Sequence, residues 1–231
     1  MALSPHRPIA TLNEGPLHAA LKTWYAEPGD VFEVPLAGRQ IDLVRGDLLV
    51  EIQTASLGAL KAKLRQLLKH HPVRVVYPVT AAKWIVREDD DGTVLSRRKS
   101  PKRGGLVDAF WELVSLPRLF RHERFTCELV LVKEEEVRRH RPRRKRRRKG
   151  WVTTERRLLE VVDSRLLCDD DDLRNLLPPG LPVPFTTADL AAGLGCPRNL
   201  AQKMAYVLRE AEAIRVTGKR GNAILYLAEA A

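Results

Sequence analysis

Between residues 40 and 54, QIDLVRGDLLVEIQT, apolar and polar positions alternate with a period of two. Ile41 and Leu43 alternate with Gln40 and Asp42. After Arg45-Gly46-Asp47, the residues Leu48, Val50 and Ile52 alternate with Glu51 and Gln53. This period predicts two strands, and Gly46-Asp47 suits a two-residue turn that opens on glycine. The turn sets the register: Arg45 faces Leu48, Asp42 falls opposite Glu51, and Gln40 opposite Gln53. Ile41, Leu43, Val50 and Ile52 then share one buried face. Two carboxylates directly opposite lie about 5 Å apart at Cβ and repel, so the pair predicts a cation between them.

The rest of the pattern places this hairpin in a larger order of elements. A helix is expected over 13–25, with Asn13 as its cap, Gly15 and Pro16 in the first turn, and Leu17, Leu21 and Trp24 as its apolar stripe. Glu14, His18 and Lys22 stand four apart and line one face of it. A strand follows over 31–37. Beyond the hairpin, residues 56–70 carry Leu57, Leu60, Leu64, Leu67 and Leu68 at helical spacing, with Lys61, Lys63, Arg65 and Lys69 outward. Residues 73–79, VRVVYPV, read as a strand buried on both sides and parallel to the Glu51 strand. A second hairpin over 83–99, a helix over 106–120 and a strand over 125–132 close a first domain, 1–137. A basic linker, 138–150, leads to a second domain, 151–231. There the pattern predicts a helix over 155–162, a short helix over 173–177 capped by Asp172, and a helix over 189–193 capped by Thr187. A longer helix over 198–211 follows, then strands over 214–216 and 223–227.

Composition adds a compartment and a partner class. At 44% hydrophobic and 30% charged residues, the 231-residue chain reads as soluble and globular. No apolar run reaches the roughly 18 residues of a membrane span. The first residues lack a secretory apolar region. Cys127, Cys168 and Cys196 are odd in number and widely spaced, which fits a reducing cytoplasm and neither a disulfide framework nor a zinc site. The net charge of +11 is concentrated: residues 138–149, RRHRPRRKRRRK, hold ten Arg or Lys, and the remainder of the chain is +1. Such a run, with Arg143, Arg144, Lys145, Arg146, Arg147 and Arg148 at its centre, is expected to be disordered. It attracts polyanions and carries no sequence information of its own.

In order, the helix with Glu14, the strand, the strand with Asp42, the strand with Glu51-Ile52-Gln53, the basic helix and the buried strand resemble the PD-(D/E)xK nuclease fold. That fold is shared by many restriction enzymes, repair nucleases and junction resolvases, and the likeness covers most of residues 12–132. Ile41 stands where the pattern has Pro, and Gln53 where Lys is usual. The resemblance implies an α/β fold, with a restriction-endonuclease-like mixed central sheet flanked by helices, and DNA cleavage dependent on Mg²⁺ or Mn²⁺. Asp42 and Glu51 offer hard carboxylate oxygens to the metal, and the resemblance makes the Ile52 carbonyl a further ligand. Gln53 would orient water through its amide oxygen, and Glu14 would position a second metal or a metal-bound water. His18 and Lys22 extend that wall towards phosphate, and Lys61 and Lys63 stabilise the scissile phosphate.

The elements of residues 185–228 resemble a winged helix-turn-helix. That likeness makes Arg198, Asn199, Gln202, Lys203 and Arg209 candidate groove or phosphate contacts, with Lys219 and Arg220 at the wing tip. DNA is the expected partner, RNA is a further reading, and a homodimer is open. The alternative function is a DNA-binding regulator or nucleoid factor whose nuclease-like domain is inactive.

Overall fold

The computed structural model describes residues 14–141 and 150–228. Helix α1, Pro16–Tyr25, precedes three short antiparallel strands: β1 (Val31–Leu36), β2 (Arg39–Arg45) and β3 (Leu48–Ile52). A 3₁₀ turn, Leu57–Leu60, and α2, Lys61–Leu67, cross over to β4, Val73–Glu88. Next come β5 (Val94–Arg103), a 3₁₀ turn (Leu106–Ala109), α3 (Phe110–Leu113) and a second 3₁₀ turn (Pro117–Arg121). The long strands β6, Phe125–Arg141, and β7, Gly150–Leu167, follow. These strands form one mixed seven-stranded sheet in the order β1-β2-β3-β4-β6-β7, with β5 antiparallel to the outer half of β4. The pair β3–β4 is parallel, as the βαβ pattern predicts, and β4–β6 is parallel as well, reached through β5 and the α3 segment.

Strand β4 is buried on both faces, which explains its nearly continuous apolar run. Val75 and Val79 pack with Leu57, Leu64, Phe110 and Leu113 on one side. Val76 packs on the other with Leu17, Leu21 and Tyr25 of α1. In α1 the inward stripe is Leu17, Leu21 and Tyr25, while Trp24 is 45% exposed, against expectation. The three inward residues stand four apart and align, and the Tyr25 hydroxyl donates to Glu128 at 2.7 Å. The helix starts at Pro16 with Gly15 as its cap; the expected cap, Asn13, lies outside the described residues.

Several expected helices take other forms. Residues 155–162 lie in β7, paired with β6 from Cys127↔Leu167 to Arg141↔Gly150. Three register irregularities interrupt that ladder and break the period of two, so the local sequence does not read as strand. The sheet therefore runs on to Leu167 rather than ending near residue 137, and Arg138–Arg141 belong to β6. The expected 106–120 helix is broken into two 3₁₀ turns around the one-turn α3, with Pro117 opening the second.

The remaining elements are α4 (Asp170–Arg174), α5 (Thr187–Leu194), α6 (Arg198–Glu210) and the hairpin β8 (Arg215–Arg220) and β9 (Ala223–Leu227). The cap of α4 is Asp169, not Asp172, whose carboxylate accepts from the Cys168 N–H at 2.8 Å. The cap of α5 is Thr186, one residue before the expected Thr187, with Asp189 closing a capping box. Leu190, Leu200, Met204 and Leu208 join the same apolar cluster as Leu57 and Phe110, so the C-terminal helices and the sheet share one core. Arg118–Glu210 (2.9 Å) and Arg121–Glu212 (3.0 Å) tie the Pro117–Arg121 turn to the end of α6.

Candidate metal and nucleic-acid site

The β2–β3 ladder has the expected register, Arg45↔Leu48 and Leu43↔Val50, and stops there. The Ile52 N–H, which a continuing ladder would bring to Ile41, donates instead to Asp42 Oδ2 at 2.8 Å. On the other side of β2, pairing to β1 runs through Phe32↔Leu43 and Val34↔Ile41 but omits Glu33 opposite Asp42. Glu33 has φ of +53°, a left-handed conformation that non-glycine residues rarely adopt. The chain is thus kinked on both sides of Asp42. The kink corrects one expectation: Ile41 packs in the α2 and α3 cluster, while Leu43, Val50 and Ile52 pack against α1.

Asp42 and Glu51 are nonetheless brought together, and around them lies a chain of buried charges. His18 bridges Glu14 and Asp42, with Nδ1 on Glu14 Oε1 and Nε2 3.2 Å from Asp42 Oδ2. The Lys22 ammonium lies between Glu14, at 2.7 Å, and Glu33. Lys63 donates to Glu51 Oε2 at 2.6 Å and to the Gln40 carbonyl. The cation that the sequence predicts between carboxylates is thus supplied in part by His18 and Lys63.

The electrostatics follow from these contacts. Burial works against a charge on His18, but Asp42 and Glu14 outweigh it and raise its pKa. Burial likewise opposes the Asp42 charge, and the His18 contact, the Ile52 N–H and Lys63 override it, holding the carboxyl below its ordinary range. Glu14 is lowered in the same way, with Lys22 and His18 overcoming its burial. Glu51 goes the other way. Burial first and the Asp42 charge second push it up to about 7, in spite of Lys63.

Glu51 is 3% exposed, and its Oε1 is buried without a hydrogen-bond donor. Lys63 Nζ also lies 2.6 Å from that oxygen, but off the line of a hydrogen bond. Among the described residues no three His, Cys, Asp or Glu side chains converge as a ready ligand set. Mg²⁺ does not need one, because it commonly binds through one or two carboxylates and retains several waters. Glu51 Oε1, which has no hydrogen-bond donor and only the Lys63 ammonium against it, fits that requirement beside Asp42.

Other expected site residues divide. Gln53 donates its amide Nε2 to the Ser56 carbonyl at 2.7 Å, bracing the turn and leaving its amide oxygen as the open end. Lys22 is 1% exposed and sits inside the protein, so its expected phosphate contact is corrected to an internal ion pair. Lys61 is exposed and lines a groove with Arg65, Arg118 and Tyr206. On α6, Arg198, Asn199 and Gln202 are exposed. Lys203 lies 5.6 Å from the Trp111 ring centre, and Arg209 is tied to Tyr206 and Glu210. Lys219 and Arg220 are exposed, with Arg220 3.6 Å from Asp189. Arg143, Arg144, Lys145, Arg146, Arg147 and Arg148 lie outside the described residues.

Sequence reasoning missed Glu33, whose role depends on its φ, and a row of paired charges on the outer sheet. There Arg156 meets Glu134 at 2.6 Å, and Glu88 is clamped by Arg139 and Arg157 at 2.8 and 2.9 Å. Lys83 and Arg138 hold Glu136. The signal for these lay in charged positions of β4 (Lys83, Glu88), of 134–139 and of 155–157, which only the pairing of β4, β6 and β7 brings side by side.

No helix among the described residues is long and apolar enough to cross a membrane. No solved structure matches this chain. An uncharacterized protein of Treponema pallidum (strain Nichols) is 39% identical over 131 residues, 56% of this chain and 52% of that protein. The match thus spans about half of the relative's length. A family model described as a domain of unknown function, DUF8091, matches residues 15–168, from the start of α1 to the end of β7. That stretch holds the whole sheet and every carboxylate of the site except Glu14, and by it the chain belongs to the DUF8091 family.

Proposed function

We propose that this protein is a metal-dependent DNA endonuclease built on a PD-(D/E)xK-like sheet, with a C-terminal winged helix-turn-helix that holds it on the nucleic acid. The observation that carries the reading is the buried Glu51 oxygen without a donor, next to Asp42 at the point where the β2–β3 ladder opens. Four carboxylates (Glu14, Glu33, Asp42, Glu51) face three cations (His18, Lys22, Lys63), and Glu51, pushed up to about 7, would exchange its proton for the charge of a metal. A bound Mg²⁺ or Mn²⁺ would polarise the phosphoryl oxygen and lower the pKa of the attacking water. Asp42 and Glu51 would hold it, with the Ile52 carbonyl as a third ligand. Lys63, beside Glu51, supplies the positive charge that Gln53 lacks. Gln53, braced by Ser56, presents its amide oxygen to the water, and His18 fixes the orientation of Asp42.

For the second half of the reading, the order helix, turn, helix, hairpin over 187–227 and the exposed Arg198, Gln202, Lys219 and Arg220 agree with a groove-binding unit. The test is cleavage of supercoiled, linear, branched and single-stranded DNA in Mg²⁺, Mn²⁺ or EDTA. Metal-dependent cleavage lost in both Asp42→Ala and Glu51→Ala is the expected result. Cleavage that survives either substitution sinks the site, and intact DNA binding without cleavage of any substrate favours a non-catalytic DNA-binding protein.

A further inference from the structure

A cavity of about 230 Å³ has in its wall Glu112 and Arg156, which brace the turn that follows Glu51. Its walls include Tyr77 and Thr80 of β4, Lys83, Lys102, Trp111 and Arg156. Two contacts tie the turn over 53–57, which leaves the carboxylate cluster at Glu51, to the wall of this cavity. Arg156 donates to the Thr54 carbonyl at 2.9 Å, and Glu112 accepts from the Leu57 N–H at 3.0 Å. Beside the lining residue Thr80, the backbone of β4 and that of the β5 exit approach closely. A Cβ on Gly104 would come within 2.1 Å of the Thr80 carbonyl oxygen, so only glycine lets the β5 exit pass there.

The chemistry of the walls is specific. Arg156 and Lys83 are held in place by Glu134 and Glu136. Lys102 is exposed, and among the described residues its ammonium has no ion pair or hydrogen bond. Trp111 is one-third exposed, a large aromatic ring at the edge of an otherwise charged pocket. Asp108 and Glu112 add carboxylate oxygens, each fixed by a backbone N–H at 3.0 Å. An aromatic ring, a free ammonium and fixed acceptors in a space too small for a duplex match one nucleotide: a base to stack, a phosphate to pair and amino or ring N–H groups to bond.

We propose that this cavity receives one unpaired nucleotide of the substrate strand, its base on Trp111 and its phosphate at Lys102. The inference deepens the nuclease reading and rests on it for its place beside the cut. It restricts the substrate to strands with an unpaired nucleotide next to the scissile bond, such as flaps, branches, gaps or single strands.

The test needs neither metal nor cleavage, so it can fail while the nuclease reading stands, and the reverse. The full chain in EDTA is titrated by calorimetry with dAMP, AMP and inorganic phosphate, beside Trp111→Ala, Trp111→Phe and Lys102→Ala. Binding of dAMP or AMP that weakens at least fivefold in Trp111→Ala and in Lys102→Ala, and is largely kept in Trp111→Phe, is the expected result. Tighter binding of AMP than dAMP supports the same pocket with an RNA strand. Equal binding of phosphate and nucleotide, untouched by Trp111→Ala, overturns it, as does the absence of nucleotide binding. Loss in Trp111→Ala that Phe does not rescue, with an unchanged melting curve, overturns the stacking role as well.

Discussion

Glu51 is a residue placed at some cost to the fold. Its burial and the Asp42 charge beside it both oppose its ionised form, and the Lys63 ammonium offsets them only in part. Glutamine has the same shape without the charge. In EDTA at pH 8, Glu51→Gln is therefore expected to melt about 2–4 °C above the parent while losing cleavage. A drop of that size would mean that the Lys63 pair dominates. The sign depends on pH. A carboxyl raised from 4.5 to about 7 weakens the fold progressively as pH rises through that window, so the advantage of the glutamine vanishes at pH 4.

Glu136 has the opposite sign. Its burial opposes the charge, but Lys83, Arg138 and Thr153 hold it down to about 2. Its contribution is fully present above the unfolded value of 4.5 and is lost as pH falls towards 2. Thermal melts at pH 7 and pH 3 should show the parent losing more stability than Glu136→Gln. At this scale the sequence made Asp42, Glu51 and the Glu14–His18–Lys22 face legible, because periodicity assigns faces. It could not say what a face meets. Lys22 shares its face with Glu14, yet Glu33, turned inward by a left-handed φ, makes it internal.

Among elements, the β2–β3 hairpin, α2, the first half of β4 and the α5–α6 pair follow from local pattern. The expected separate strands over 73–79 and 83–88 are instead one strand that runs through an irregularity at Thr80/Ala82. Strand β7 does not follow from local pattern, because bulges scramble its alternation and its strand form comes from pairing with β6. The α3 segment likewise depends on what packs on it. Gly104 belongs to this scale, as the point where the chain leaves β5 against the Thr80 carbonyl. Gly104→Ala must move one of two backbones. It is expected to destabilise the protein by about 2 kcal/mol, within the range for overpacking, read as a lower denaturant midpoint with an unchanged m-value. An unchanged midpoint would show that β5 shifts freely there.

For the whole molecule, the family match ends at residue 168, yet the apolar core continues into α4, α5 and α6. The C-terminal unit is thus packed as part of one body with the sheet. The molecule also carries two separate sources of positive charge: the basic run within residues 138–149, and the exposed Arg198, Lys219 and Arg220. If both contact phosphate, each must appear in the salt dependence of binding, since every neutralised phosphate adds about 0.9 to the slope of log K against log salt. Substituting Arg198, Lys219 and Arg220 by Ala is expected to flatten that slope by about 2 to 3. Deleting residues 143–148 should flatten it by up to about 5. Neither change touches Asp42 or Glu51, so the cleavage rate at saturating DNA should stay within about twofold of the parent, whereas Asp42→Ala should lose cleavage and keep the parent slope. A slope unchanged by the triple substitution would remove the α6 and hairpin surface from the DNA interface, and with it the winged-helix role.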